Sequence, residues 1–396
     1  MVARTLIALL ALSLTPRASA SETWPCVRRA KPVPLLNELE RLYPKQPRAE
    51  LVDRIKRVVV HKLPALKLLR SFVPLYYDRL HELSCEMPSF KDVWKLSGWC
   101  AGDAHLENYG AYINPSDDST TFMIVDIDDA GPCPLFADAL RFFASVRLHG
   151  DSMDGLVQAY RDGMEGKEHT VSPGVRKVML KSLERAMTSK PGFLPEKDRK
   201  GHPDVRELSQ DERALVATAV TSVYPKGSSL IDAYEFEREK GGSAGLKRYE
   251  ALVKYPGMDK PMWIEFKELS TPGIFPLKSG PLLTARKRAF KTWWTERGEE
   301  PPPEYQVARV KGHDFMLRPR WAGNKNARLK HFDEDQEAGM FVDEAYALGE
   351  FHSRTDAGGR YRRAVSRIPP EEWLKAADRV KADFERLLLS AEQVVH

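Results

Sequence analysis

Gly102-Asp103-Ala104-His105-Leu106-Glu107-Asn108, followed by Phe122-Met123-Ile124-Val125-Asp126-Ile127-Asp128-Asp129, is the part of this chain that decides its fold. It sets an Asp, an Asn five residues later and an acidic strand end within one short stretch. Phosphoryl transfer asks a protein mainly for a carboxylate that orients or deprotonates the nucleophile, and for oxygen ligands that hold Mg²⁺ on the phosphates. Asp103 fits the first task; Asn108 and Asp126 fit the second. The competing reading is a loop in which Asp and Asn cap a helix and stabilise turns.

On either side of the polar residues 114 to 121, Tyr112-Ile113 and Phe122 to Asp126 read as two strands, which returns Asp126 beside Asp103 and Asn108. Alternation places Asp126 and Asp128 on one face. Carboxylates at 126, 128 and 129 raise one another's pKa, and a cation is the simplest compensation. The expected metal ligands are therefore Asn108, Asp126 and Asp128, against a solvated acidic turn. His105 has two readings, proton transfer beside Asp103 or hydrogen bonding to the loop backbone. Ala137 to Leu148 reads as an amphipathic helix with Asp138 at its positive end.

A charged start at Arg4, the apolar run Thr5 to Leu14 and Ala18-Ser19-Ala20 spell a secretory signal peptide over residues 1–20, too short to span a bilayer. No lipobox precedes Cys26. The expected location is therefore periplasmic or secreted, with no transmembrane segment in the mature chain. Cys26, Cys85, Cys100 and Cys133 permit two disulfides in three pairings, and none has metal-ligand spacing. With 61 basic and 56 acidic residues scattered along the chain, the net charge of +5 favours no nucleic-acid role.

Leu35, Leu36, Leu39 and Leu42, then Leu51, Ile55, Val58 and Val59, recur near a helical period. Residues 151 to 235 read as mostly helical and charged, broken by prolines. From about 240 the texture changes: Gly241-Gly242-Ser243-Ala244-Gly245 leads into the alternating Tyr249 to Tyr255 and the strand Met262 to Lys267. Strand, glycine turn, strand and a terminal Lys is the nucleotide-gripping pattern of a kinase, so Gly242, Ser243, Gly245 and Lys267 are the expected nucleotide contacts. Ordinary hairpin glycines and an edge-strand Lys are the bland alternatives. A basic helix near 281 to 295 has no interior Glu for Lys267, only Glu296 near its end, so either another carboxylate such as Glu265 or Glu268 takes that part or nucleotide binding is altered. Strands at 304 to 310 and 315 to 318, and a helix from Val342 to His352, complete the pattern.

GDAHLENYG, MIVDIDDAGPCPLFADALRFFASVR, the segment from Gly242 to Glu268 and Ala347 to Asp356 resemble the DUF2252 family of bacterial proteins, with similarity over roughly residues 95 to 360. That resemblance implies a protein-kinase-like or aminoglycoside-phosphotransferase-like fold and no settled substrate. It also implies that His352 buttresses the catalytic loop. The nucleotide half ordinarily precedes the catalytic loop, and here it follows. The expectation is an α+β, two-lobed kinase-like fold, circularly permuted: an N-terminal helical region at 21–99, a catalytic helical lobe at 100–235, a β-rich nucleotide lobe at 236–325 and C-terminal helices at 326–396. The expected function is Mg-dependent phosphotransfer from ATP or another nucleotide to an unknown small-molecule or protein acceptor. An inactive kinase-like binding protein is the alternative. A metallophosphoesterase, suggested by the Gly-Asp-Ala-His opening, lacks the later Gly-Asn-His cluster it needs.

Overall fold

The structure is a computed structural model that describes residues 33–44, 46–113, 120–188, 205–236, 246–256, 261–269, 305–319, 325–355 and 357–395. The leader, Cys26, the glycines Gly242 and Gly245 with Ser243, the basic segment near 281 to 295 and Asp356 lie outside the described residues. What is described is a mixture of helix and sheet.

Helices come first where the leucine period places them: α1 (Leu35–Leu42), α2 (Arg48–Val59), α3 (Pro64–Ser71) and α4 (Val73–Leu83). They share one core with α5 (Leu135–His149), α6 (Leu156–Glu165), α7 (Pro173–Thr188), and the late helices α9 (Glu334–Ser353), α10 (Gly358–Val365) and α11 (Pro370–Val395). Described residues of the regions 21–99 and 326–396 thus share this core with residues of the region 100–235. Both ends of the chain pack into it, and α11 lies against α1, α2, α3 and α5. Arg79 of α4 makes a two-point ion pair with Asp383 of α11, both bonds 2.8 Å, and Glu38 of α1 lies 3.5 Å from the same guanidinium.

Helix α5 departs from its amphipathic expectation. All its residues except Arg147 and His149 are buried, including Asp138, Arg141 and Ser145. A helix covered on every side is a central one, and its polar groups must be answered from within the protein.

Six antiparallel strands make the main sheet, in the order β5 (Val205–Glu207), β6 (Ser229–Phe236), β7 (Arg248–Lys254), β8 (Met262–Glu268), β10 (His313–Pro319), β9 (Gln306–Val310). It begins some thirty residues before the expected boundary at 236, with α8 (Gln210–Val223) inserted between its first two strands. A register shift between Leu230 and Asp232 interrupts the two-residue alternation of β6, which hides that strand in a stretch that reads as helical. Helix α8 starts with a reciprocal capping pair, Ser209 and Glu212. Its Leu215, Val216, Ala219 and Val220 cover the apolar sheet face made by Tyr249, Ala251, Val253, Ile264, Phe266, Phe315 and Leu317. The alternate residues, Arg248, Glu250, Glu265, Lys267 and Arg318, fall on the opposite face.

Two small sheets frame the loop of interest. β1 (Ser97–Cys100) pairs with β4 (Gly131–Pro134), and a disulfide joins Cys100 to Cys133; Cys85 is disulfide-bonded as well. β2 (Tyr109–Ile113) pairs with β3 (Thr120–Ile124) and with the short β11 (Lys325–Asn326). Among the described residues, no helix is long and apolar enough to cross a membrane.

Removing one partner of a buried ion pair costs about 3–5 kcal/mol because the other charge stays buried. Asp383→Ala should therefore lower the unfolding free energy by about 3 kcal/mol at the low end of that range, since Glu38 and Glu82 remain near Arg79. Urea denaturation should show it as a lower midpoint with an unchanged slope.

Candidate active site

The loop from Ala101 to Asn108 is held from below by α5. Asp138 accepts the peptide N–H groups of Ala101 (2.7 Å) and Gly102 (3.0 Å). One turn on, Arg141 donates from Nε to the Asp103 carboxylate at 3.0 Å and from Nη2 to the same oxygen. Ser145, a further turn along, accepts the Leu106 N–H at 3.0 Å. Spacings of three and seven residues put these three side chains on one helix face. Gly102 has φ +82°, and a Cβ there would fall on the Asp129 carbonyl, so only glycine lets the loop lie against the acidic segment.

Asp138 is itself positioned from behind. His352 of α9 lies 3.2 Å from its Oδ2 through Nε2, and Nδ1 of the same ring is 2.7 Å from the Tyr160 hydroxyl. His352 thus touches the loop only through Asp138.

Asp103 carries opposing influences. Burial raises its pKa, but His105 at 3.3 Å and Arg141 outweigh it and hold the carboxyl well below the usual range. His105 faces Asp103 with Nε2 and its own loop's Leu106 carbonyl with Nδ1; burial lowers its pKa. Both ring nitrogens are thereby engaged within the loop, which is a positioning geometry. Asn108 donates from Nδ2 to the Asp103 carbonyl at 2.8 Å, which leaves its amide oxygen as the end available to a metal. Between them Glu107 adopts φ +71°, uncommon for a residue with a Cβ. Its carboxylate is anchored to Arg70 (2.7 Å) and to the Leu329 N–H (3.0 Å). Glu344 of α9 is fully buried near Glu107, and burial pushes its carboxyl well above the usual range.

The acidic segment returns as the two-strand reading requires: the Val125 N–H donates to the Asn108 carbonyl at 3.0 Å. Lys267, near the end of β8, reaches across from the large sheet to Asp126 at 3.3 Å and to Asp128. Its side chain is only 7% exposed, so it is a buried cation shared by two carboxylates. Burial lowers the Lys267 pKa against the opposing pull of Asp126. Burial raises that of Asp126, but Lys267 and then Arg318 bring it below the ordinary value. Neither Glu265 nor Glu268 takes the lysine. Glu265, fully buried, pairs with Arg248 and Arg318; Glu268 pairs with His313 at 2.6 Å.

Asp103, His105, Asn108, Asp126, Asp128 and Lys267 thus belong to one neighbourhood. Arg141, Ser145, Arg248 and Arg318 join it without having been singled out in the sequence. For the first two, the signal was present in the three-then-four spacing of Asp138, Arg141 and Ser145. Among the described residues, no group of three or more His, Cys, Asp and Glu side chains is arranged to hold a metal ion. Two carboxylates and an amide oxygen nonetheless suit Mg²⁺, which keeps waters and takes substrate phosphates as its other ligands. The buried Oδ1 of Asp128, without a hydrogen-bond partner, fits that use.

Two pH effects follow from these carboxyls. A depressed folded pKa adds stability above the unfolded value, near 4 for Asp, and loses it as pH falls through the folded value. Asp103→Asn should cost about 3 kcal/mol at pH 7, where it strands Arg141, and progressively less below pH 4. Glu344 has the opposite sign: its raised folded pKa weakens the fold increasingly as pH climbs above the unfolded value, near 4.3. Glu344→Gln should therefore gain on the parent by up to about 1.4 kcal/mol per pH unit over that interval. Urea denaturation of each variant at pH 3, 5 and 7 measures both.

No curated protein and no solved structure matches the chain. Residues 69–165, from the end of α3 through the Asp103–Asn108 loop and the acidic segment to the end of α6, match the DUF2252 family, described as an uncharacterized protein conserved in bacteria.

Proposed function

We propose that this protein is a Mg-dependent phosphotransferase of the two-lobed kinase type, its lobes in permuted order, acting after export on a small-molecule or protein acceptor. The observation that carries the reading is the Lys267 contact with Asp126 and Asp128, beside the loop that bears Asp103 and Asn108. A sheet lysine, two carboxylates, an asparagine oxygen and a separate loop aspartate are the groups that phosphoryl transfer uses. Arg248, at the start of β7, lies directly across from Lys267. The Cys100–Cys133 bond is in keeping with an oxidising compartment.

Asp126, Asp128 and the Asn108 oxygen would hold Mg²⁺, which supplies charge neutralisation on the donor phosphates. Lys267, released from the two carboxylates, then pairs with the phosphates. Asp103, kept ionised by Arg141 and His105, receives the acceptor's hydroxyl hydrogen bond and aims its oxygen at phosphorus. As the new P–O bond forms, the bond to the leaving diphosphate breaks with its electron pair, and the hydroxyl proton departs past Asp103 to solvent. The low pKa of Asp103 assigns it to orientation more than to strong proton abstraction.

A second reading, nucleotide binding without turnover, is favoured by the engagement of both Asp103 oxygens, one by Arg141 and the other by His105. Thermal unfolding with ATP and Mg²⁺ tests both. Ligand at a hundred times its dissociation constant should stabilise the protein by about 2.7 kcal/mol, and Asp126→Ala should abolish the Mg-dependent part. A shift with no loss of the terminal phosphate across a panel of hydroxyl acceptors would favour the second reading. No shift with any nucleotide would remove both.

A further inference from the structure

The Lys267 ammonium already serves the two carboxylates that a divalent cation would use. It lies 3.3 Å from Asp126 and also pairs with Asp128. Its strand is an inner one, hydrogen-bonded to β7 on one side and to β10 on the other, so the backbone at Lys267 is pinned and only the side chain can leave. Two carboxylates and one ammonium leave a single negative charge between them. A divalent ion added to the same oxygens would meet the lysine as a like charge in a buried setting, where such repulsion is poorly screened.

Withdrawal of the lysine is no easier. The carboxylates of its own neighbourhood are engaged elsewhere: Glu265 with Arg248 and Arg318, Glu268 with His313, and Asp103 with Arg141 and His105. Arg318 also acts on Lys267 as a like charge. A buried cation stripped of its partners is strongly destabilising, so the ammonium leaves the pair only for another anion. Phosphate oxygens are such an anion: they accept from the lysine while the metal takes its place on the carboxylates.

We propose that Lys267 is the resident counter-ion of this centre, which keeps out a divalent cation arriving alone and admits it only together with an anion that takes over the lysine. The inference rests on the phosphotransferase reading and deepens it, since metal and phosphate donor then enter as one event. Lys267 thereby selects for the metal–phosphate complex over either component.

The test uses the full chain and Mn²⁺ as the probe. Calorimetric titration with Mn²⁺ alone should show Lys267→Met binding at least tenfold tighter than the parent, and Lys267→Arg, which keeps the charge, binding no tighter than the parent. Adding Asp126→Asn to Lys267→Met should remove the gain. In the parent, thermal unfolding should shift upward with an equimolar mixture of Mn²⁺ and inorganic tripolyphosphate, and stay in place with Mn²⁺ alone or with tripolyphosphate in excess chelator. This second series decides the matter by itself if Lys267→Met does not fold. A parent that binds Mn²⁺ alone as tightly as Lys267→Met does, or that is stabilised by Mn²⁺ alone as much as by the mixture, overturns this inference and leaves the phosphotransferase reading standing. If neither Mn²⁺ nor the mixture binds parent or variant, both fail.

Discussion

Arg141 is a fully buried cation in the middle of a buried helix, and most of the site is arranged around that fact. A guanidinium in such a place needs a carboxylate and further acceptors, and it has Asp103 and the Leu69 carbonyl. Because Asp103 is the loop's own side chain, satisfying the arginine and fixing the loop are the same event. Asp138 and Ser145 extend the hold to three points over seven residues, which is why the loop can carry a left-handed Glu107 at its far end.

The residues around the acidic segment come from two hydrophobic clusters, one helical and one formed by the sheet with α8. The helical cluster holds the Ala101–Asn108 loop through α5, and helices from both ends of the described chain pack into that cluster. From the sheet comes one face turned toward the acidic segment, with its other face closed by α8. Strand alternation is what makes the division possible: the residues between Tyr249, Ile264 and Phe266 are charged, and they meet Asp126 and Asp128 through Lys267.

Much of this could be read from residue order. The Asp103 and Asn108 spacing, the paired strands leading to Asp126 and the lysine ending an alternating strand are local patterns with local causes, and each lies where its pattern puts it. The helical period of residues 34 to 90 is equally local. Other features depend on partners far away in sequence. Nothing near Ala137 says that α5 will be enclosed on every side, because the helices that enclose it come from residues 64 to 83 and 370 to 395. Strand alternation points to carboxylates on the strand of Lys267 itself, whereas the lysine pairs with Asp126, 141 residues away in sequence. Strand β6 was hidden by a bulge, a feature that the two-residue period cannot represent.

The Cys100–Cys133 bond closes a covalent ring, and Asp103, His105, Asn108, Asp126 and Asp128 all lie on it. A crosslink across 33 residues removes roughly 3–4 kcal/mol of conformational freedom from the unfolded chain. All of that restriction falls on the segment from which the site is assembled. The order of events during maturation then matters: a chain oxidised before it folds searches for its loop geometry inside a tether, while a reduced chain must find it by packing alone. Cysteine chemistry thereby becomes part of how this loop and the acidic segment are brought together.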